Sequence, residues 1–270
     1  MKLVKTPDEV RAWRKTMPTL ALVPTMGFLH EGHLSLMREG VKRAGVCAAT
    51  IFVNPTQFGP KEDLSRYPRD LEGDLAKCES AGVSLVYAPE PASVYPAGYQ
   101  TYVTVDDVSQ GLDGASRPGH FRGVATVVAK LLALFRPDVA LFGEKDFQQL
   151  QVIKALTKDL ELGVEIVGQP TVREADGLAM SSRNAYLSKE DRQKALGLSR
   201  GLFRARDSRE RDAEKVKAMI RAELGEVRED YVAVVDSETL KPISKIEARP
   251  ARALVAAFVG TTRLIDNVAL

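Results

Sequence analysis

The chain has 270 residues, of which 44% are hydrophobic and 27% charged, and this is the composition of an ordinary globular protein. Its 38 Lys and Arg against 36 Asp and Glu leave a net charge of +2. Such a small excess of positive charge gives no strong positive potential over the surface that would attract nucleic acid or anionic lipid, so we expect neither as a partner.

The N-terminal residues, the lengths of the apolar runs and the cysteines indicate the cellular compartment of the protein. The first eight residues carry charges without a following apolar run, and no stretch approaches the ~18 apolar residues of a membrane span. We therefore expect no secretory signal and no membrane anchor, and hence a cytoplasmic protein. Cys47 and Cys78 show neither a C-x-x-C nor a metal-ligand spacing, which predicts two buried, reduced thiols.

From residue 19 to residue 172, short apolar runs rich in β-formers alternate with helical ones. This alternation predicts an α/β fold, a Rossmann-like doubly wound parallel sheet with helices on both faces. Strands are predicted at 20–24, 46–54, 83–88, 139–142 and 164–167. Helices are predicted at 33–44, 71–80, 123–135 and 147–160.

The pattern changes near residues 175–188. Beyond this point helices and strands are segregated, which predicts a smaller C-terminal α+β domain. Helices are predicted at 189–206 and 211–224, and strands near 231–236 and 253–259. We place the Rossmann-like domain at 1–175 and the smaller domain at 176–270. The bases between residues 200 and 217 alternate with acids at helical spacing, which favours a solvated helix face over a polyanion site.

Two of the three histidines lie between a predicted strand and the start of a predicted helix. Ligands of parallel sheets bind beyond the carboxyl ends of the strands, and a helix N-terminus offers unpaired N–H groups to a phosphate. If the helix has begun by His30, the i, i+3 spacing puts His30 and His33 on one face, where both imidazoles can stabilise phosphate charge. The alternatives are histidines that only satisfy loop hydrogen bonds, and a zinc site, whose third ligand would have to be His120.

No Walker sequence and no G-x-G-x-x-G occurs in the chain. The element His30-Glu-Gly-His33 resembles that of the His-x-Gly-His nucleotidyltransferase superfamily, which is related to class I aminoacyl-tRNA synthetases and transfers AMP or CMP with loss of pyrophosphate. The second signature of that superfamily is a Lys-Met-Ser-Lys-Ser-like loop. Residues 179–184 resemble it, with Arg183 where the synthetases usually have lysine, and such a loop can bind the β- and γ-phosphates.

Six ordered blocks together resemble the pantothenate synthetase family, also called pantoate–β-alanine ligases. They are VPTMG at 23–27, FVNPTQFG at 52–59, RPGHFRGV at 117–124, FGEKDFQQ at 142–149, DGLAMSSRN at 176–184 and TRLIDN at 262–267. One departure is Phe28, which stands where relatives often have a smaller residue and which leaves the packing around the histidine pair open.

The resemblance implies an amide synthesis in two steps. Pantoate and ATP would give pantoyl adenylate and pyrophosphate, and the amine of β-alanine would then displace AMP. ATP is implied as a substrate, with Mg²⁺ bound mainly through its phosphates, and a homodimer is implied as the assembly. Two alternatives are another His-x-Gly-His nucleotidyltransferase that acts on a phosphorylated acceptor, and a nucleotide-binding sensor without catalysis. The sensor would be expected to lack some of the phosphate-binding side chains, and all are present.

The resemblance also assigns the site. The implied catalytic residues are His33, His30, Lys145, Ser181, Ser182 and Arg183. The implied ATP-binding residues are Met26, Gly27, His30, His33, Gly143, Glu144, Lys145, Asp146, Val172, Met180, Ser181, Ser182 and Arg183. The implied residues for pantoate or β-alanine are Gln57, Gln149 and Asn54, and no protein ligand for a metal is expected. The polar segment 59–68 is predicted to be a lid that orders with substrate, with an ordinary surface loop as the alternative.

Overall fold

The computed structural model describes residues 1–60, 62–247 and 249–270, and these form two compact units. Unit 1 comprises Met1–Glu144 and Gln149–Pro170, and unit 2 comprises Lys145–Gln148 and Thr171–Leu270. The predicted limits of 1–175 and 176–270 differ from these units at the segment 145–148 and at residues 171–175.

Unit 1 is built on a six-stranded parallel sheet in the order β1-β4-β3-β2-β5-β6. Its strands are β1 Lys2–Val4, β2 Ala21–Thr25, β3 Cys47–Ile51, β4 Leu85–Tyr87, β5 Val139–Gly143 and β6 Glu165–Gln169. Its helices are α1 Pro7–Arg14, α2 Glu31–Ala44, α3 Leu71–Ser80, α4 Pro91–Val94, α5 Leu112–Ser116 and α6 His120–Phe135. Helix α7, Phe147–Asp159, begins in unit 2 and continues in unit 1. The predicted Rossmann-like fold class is confirmed.

The N-terminal strand and helix escaped prediction because β1 is too short to show a periodicity. Only Val4 of its three residues is buried, and β1 occupies the edge of the sheet beside β4. Helix α1 begins with a capping box, in which the Thr6 side chain accepts from the backbone N–H of Glu9 while the Glu9 carboxylate accepts from the Thr6 N–H. Pro7 at the first helical position adds to this signal.

The centre of the sheet is apolar on both faces, as the run at 46–54 predicts. Residues Cys47 to Thr50 of β3 are at most 1% exposed, and Cys47 and Cys78 are both buried free thiols. The strand ends at Ile51, three residues before the predicted limit, and a 3-10 turn at Pro55–Gln57 follows. This earlier end matters because it places Asn54, Thr56 and Gln57 beyond the carboxyl end of the strand rather than within the sheet.

Unit 2 contains an antiparallel sheet in the order β7-β8-β9, with two helices packed on it. Its elements are α8 Lys189–Ser208, α9 Ala213–Leu224, β7 Arg228–Asp236, β8 Ala251–Val259 and β9 Thr262–Ala269. Strand β9 was not predicted from the sequence. The helices α8 and α9 approach closely because Gly197 lacks a side chain: a Cβ there would lie 2.4 Å from the carbonyl oxygen of Glu223.

Charged side chains of α8 and α9 form ion pairs with one another. Arg204 contacts Glu223 at 2.8 Å between the helices, and Lys217 contacts Glu214 within α9. These are exposed ion pairs of small energetic value, consistent with a solvated face. Among the described residues, no helix combines the length and apolarity needed to cross a bilayer.

Candidate active site

The strand order of unit 1 reverses at β2, whose neighbours are β3 on one side and β5 on the other. In open parallel sheets such a switch point opens a crevice beyond the carboxyl ends of the strands. The loop from Met26 to His30 leaves β2 at this place and leads into α2. The fold therefore puts the histidine element where a doubly wound sheet binds its ligand.

The structure brings His30 and His33 together, with ring centroids 4.1 Å apart and planes inclined by 37°. Helix α2 begins at Glu31, so His30 is its N-cap rather than a residue inside the first turn. The backbone N–H of His30 donates to Nδ1 of His33 at 3.3 Å. This bond favours the neutral His33 tautomer with its proton on Nε2, the form that can donate to a phosphate oxygen.

Side chains of α3 form hydrogen bonds with the backbone of the loop that precedes His30 and His33. The Asp74 carboxylate accepts from the backbone N–H groups of Phe28 and Leu29, each at 2.7 Å, and Lys77 donates to the carbonyl of Leu29 at 2.9 Å. Phe28 has φ of 50°, a left-handed conformation that costs energy for a side chain of this size. Burial of Asp74 raises the pKa of its carboxyl group despite the two N–H donors. Asp74 and Lys77 were not predicted, since nothing in the sequence relates them to a loop 45 residues earlier.

The predicted pantoate residues lie in and beside the 3-10 turn that follows β3. Asn54 donates from Nδ2 to Oε1 of Gln57 at 3.0 Å and to the carbonyl of Gly123 at 3.2 Å. Nε2 of Gln57 donates to the sulfur of Met26 at 3.1 Å. The structure thus joins three predicted site residues, Met26, Asn54 and Gln57, and both amides are buried.

The first residues of α6 pack closely against the 3-10 turn at Pro55–Gln57. A Cβ on Gly123 would lie 2.3 Å from the carbonyl oxygen of Thr56 and 2.6 Å from the backbone nitrogen of Gln57, so only glycine permits this approach. His120, at the beginning of the same helix, contacts the Gln57 carbonyl through Nδ1 at 2.8 Å and Arg117 through Nε2 at 3.0 Å. The helix begins three residues before its predicted start, and it is this extra turn that carries His120.

Residues 143–149 lie at and just after the carboxyl end of β5. Gly143 ends the strand, Lys145 and Asp146 form the next turn with Nζ and Oδ2 3.8 Å apart, and Gln149 lies partly buried in the first turn of α7. In unit 2, Nδ2 of Asn267 donates to the Lys145 carbonyl at 2.8 Å. The block at 262–267 therefore supports the backbone of a predicted phosphate-binding lysine.

The loop of residues 172–184 is ordered by its own hydrogen bonds. The Met180 N–H donates to the Val172 carbonyl at 3.0 Å, which joins two predicted ATP-binding positions. The Ser181 side chain accepts from the backbone N–H of Arg183 at 3.2 Å, and Ser182 is buried. Asn184 donates to the Ala179 carbonyl at 3.1 Å and to Glu174 at 2.6 Å, so this loop has a defined shape in unit 2.

An ion pair that was not predicted fixes the base of this loop. Arg173 donates from both terminal nitrogens to Asp266, at 2.7 and 2.9 Å, and the Asp266 side chain is only 2% exposed. Arg192 of α8 binds Glu174 and Asp176, each at 2.7 Å. The sequence could not show these pairs because their members come from separate elements.

The described residues contain no group of three or more His, Cys, Asp or Glu side chains arranged to hold a metal ion. His120, the third ligand that zinc would require, is engaged with Gln57 and Arg117 instead.

Fold and site together define an α/β protein of the Rossmann-like class with imidazole and amide groups beyond the carboxyl ends of its central strands. Comparison with known proteins specifies the family. The sequence profile of the family described as pantoate-beta-alanine ligase matches residues 2–269, and the chain belongs to this family. The pantothenate synthetase of Myxococcus xanthus is 66% identical, with 99% of this chain and 96% of that protein covered. That of Anaeromyxobacter dehalogenans is 58% identical, with 98% and 99% covered.

Solved structures show the same architecture. A pantothenate synthetase from Thermus thermophilus matches with a TM-score of 0.95 and 47% identity over 99% of both chains. A pantoate-beta-alanine ligase from Francisella tularensis, complexed with beta-gamma ATP and β-alanine, matches with a TM-score of 0.84 and 32% identity, over 99% of this chain and 97% of that one.

Proposed function

We propose that this chain condenses pantoate with β-alanine to form pantothenate, at the expense of ATP, through a pantoyl-adenylate intermediate. The observation that carries the proposal is the contact of His30 with His33 at the N-terminus of α2, beside the strand-order reversal. Family membership supports it, and the Francisella relative is a protein whose structure contains beta-gamma ATP and β-alanine.

The first step is attack of the pantoate carboxylate on the α-phosphorus of ATP, with pyrophosphate as the leaving group. The carboxylate is already ionised, so the step needs positioning and charge stabilisation rather than a general base. His30 and His33 donate to the phosphate oxygens that gain charge, and the N-terminus of α2 adds its own partial positive charge. Met26 and Gly27 supply the loop wall beside the nucleotide.

The remaining residues retain their assigned roles within the proposal. Lys145 binds phosphate, Asp146 binds the ribose hydroxyls, and Gly143 and Glu144 bring this turn to the nucleotide. The backbone of Val172 meets adenine. The catalytic loop residues Ser181, Ser182 and Arg183, with Met180 beside them, bind the leaving phosphates.

Gln57 and Gln149 bind pantoate, and Asn54 orients Gln57. An amide suits this task because it offers both a donor and an acceptor to a ligand with hydroxyl groups and a carboxylate. In the second step the amine of β-alanine attacks the acyl carbon of the adenylate and AMP leaves. The intermediate must be shielded from water because it is a mixed anhydride.

The proposal extends to the setting of the reaction. Mg²⁺ enters with ATP, bound through the phosphates and water, since this ion retains much of its hydration shell. The enzyme acts in the cytoplasm as a homodimer, and residues 1–175 and 176–270 serve as its two domains.

An assay of the two half-reactions tests the function. Pyrophosphate release should require pantoate but not β-alanine, while AMP release should require both. The His33→Ala variant should slow pyrophosphate release by about 10²- to 10³-fold, the usual cost of removing one donor to a developing charge. Arg38→Ala, at an exposed position of the same helix, serves as the control and should keep the wild-type rate. Pyrophosphate release that needs a phosphorylated acceptor in place of pantoate would refute the proposal.

A further inference from the structure

The block RPGHFRGV at 117–124 has no role in the chemistry just described, yet it holds His120, a buried histidine with a contact at each ring nitrogen. His120 is 8% exposed, and burial together with the neighbouring Arg117 lowers its pKa to about 4. It is therefore neutral around pH 7, and a neutral imidazole has one donor and one acceptor.

The two contacts of His120 decide which nitrogen carries the proton. A guanidinium can only donate, so Nε2 accepts from Arg117 at 3.0 Å. Nδ1 then carries the proton and donates to the backbone carbonyl of Gln57 at 2.8 Å. The imidazole thus links Arg117 to the backbone of Gln57 through two hydrogen bonds, and the side chain of Gln57 is the one assigned to pantoate.

Arg117 is fixed in turn by Glu62. Nε and one terminal nitrogen of Arg117 donate to the two carboxylate oxygens of Glu62, at 2.8 and 2.7 Å, in the bidentate geometry that gives the strongest pairs. Burial opposes the ionisation of Glu62, but the hydrogen bonds and charge of Arg117 outweigh it and hold the pKa of the carboxyl below its usual range. Glu62 belongs to segment 59–68, whose Tyr67 is buried against Phe58.

The turn that carries Gln57 needs such support. Its own backbone bonds are long: the Gln57 N–H to the Asn54 carbonyl measures 3.4 Å and the Phe58 N–H to the Pro55 carbonyl 3.3 Å. Bonds at this length are weak, so external contacts set the position of the turn. A displacement of the Gln57 backbone would swing its side-chain amide away from the pantoate hydroxyls.

We infer that Glu62, Arg117 and His120 form a relay of positioning residues that fixes the Gln57 carbonyl and couples pantoate binding to the order of residues 62–67. The inference rests on the proposed role of Gln57 in binding pantoate. None of the three relay side chains needs to touch substrate. They determine the affinity for pantoate, and they leave the ATP-binding groups unaffected.

The test measures pyrophosphate release with varied pantoate at saturating ATP, and with varied ATP at saturating pantoate. His120→Phe removes the shorter of two hydrogen bonds to the Gln57 carbonyl and leaves only the 3.4 Å bond from Arg117. This loss of one good hydrogen bond should raise KM for pantoate roughly five- to tenfold, while KM for ATP stays within about twofold. His120→Asn keeps a donor near the Nδ1 position and should recover most of the loss. Glu62→Gln should raise KM for pantoate and accelerate hydrogen exchange over residues 62–67.

Arg14→Lys is the matched control. Arg14 is also a partly buried arginine of unit 1 that donates to backbone carbonyls, of Phe135 and Arg136, but these lie at the C-terminal end of α6, opposite the end that carries His120. Arg117→Lys should raise KM for pantoate, and Arg14→Lys should not, even if both lower the melting temperature. If His120→Phe does not fold, His120→Asn and Glu62→Gln carry the test.

Two results separate the inference from the function on which it rests. If Gln57→Ala raises KM for pantoate while the folded relay variants leave it unchanged, or raise KM for ATP equally, the relay is refuted and the proposed function stands. If Gln57→Ala itself leaves KM for pantoate unchanged, the assignment of Gln57 is wrong, and the relay then has no connection to pantoate.

Discussion

Replacement of Asp74 by asparagine should impair both the stability and the activity of this protein. The side chain keeps its shape, but only one of its two terminal atoms can still accept a hydrogen bond. Asp74 now accepts from the N–H groups of Phe28 and Leu29, so one of these donors would face the NH₂ group of the new amide. The loop that leads to His30 would have to move.

The size of the effect follows from these two bonds. Hydrogen bonds to a charged acceptor are worth about 1.5–3 kcal/mol each, and one is lost while the other becomes neutral. Relief of the burial of an ionised carboxylate offsets part of this loss. We expect a decrease of about 2 kcal/mol in the free energy of unfolding at neutral pH. If His30 and His33 have the role proposed above, the rate of pyrophosphate release should fall by up to ~10²-fold, because an error of about 1 Å in the position of a catalytic group has that cost.

The pH dependence has a definite sign. The pKa of Asp74 is raised in the folded state, so the folded protein holds this proton more tightly than the unfolded chain does. The stability that this group contributes is complete below its unfolded pKa, near 3.8, and is lost as the pH rises through the folded value. The difference in stability between wild type and Asp74→Asn should therefore be larger at pH 4 than at pH 7.

Urea unfolding at several pH values and the pyrophosphate assay provide the measurements. The control is Asp70→Asn, the same substitution at the N-cap of the same helix, where the carboxylate accepts from the Gly73 N–H at 3.0 Å. It should lower stability slightly and leave the rate unchanged. Wild-type rates in Asp74→Asn, or an equal loss of rate in Asp70→Asn, would show that the carboxylate does not hold the histidine loop.

Three further predictions concern other parts of the molecule. Arg173→Ala should lower the free energy of unfolding by about 3–5 kcal/mol in urea titrations, because it leaves the buried Asp266 carboxylate without its partner, and a loss below about 1 kcal/mol would contradict this expectation. Gly123→Ala should raise KM for pantoate, since the added Cβ overlaps the backbone of the turn after β3, and an unchanged KM in a folded variant would argue against that overlap. Cys47 and Cys78, whose pKa burial raises to about 12, should not react with a disulfide reagent at pH 8 until urea unfolds the protein, and rapid labelling of the native enzyme would disprove their burial.

Local patterns predicted the architecture because they report local physics. Alternating apolar strands and amphipathic helices imply a parallel sheet, and the fold class follows from that alternation with few exceptions. The elements that were not predicted include those too short to show a hydrophobic periodicity, such as β1, which has one buried residue. Helix starts were placed late at α2 and α6, because His30 as an N-cap and Gly119 in a left-handed conformation are not residues that signal a helix strongly.

The candidate site likewise has residues that could be recognised from the sequence and others that only the structure revealed. The sequence alone supplied the candidate residues: the histidine element, the amides after β3 and the serine-arginine loop all lie in contiguous blocks whose side chains are recognisable by type. The structure alone supplied the groups that hold them, such as Asp74 beneath the histidine loop and Asp266 beneath Arg173. These partners are 45 and 93 residues away in the chain, and only chain folding brings them within hydrogen-bond range. A carboxylate shows in sequence that it can accept a hydrogen bond, but which donor it meets is decided by packing.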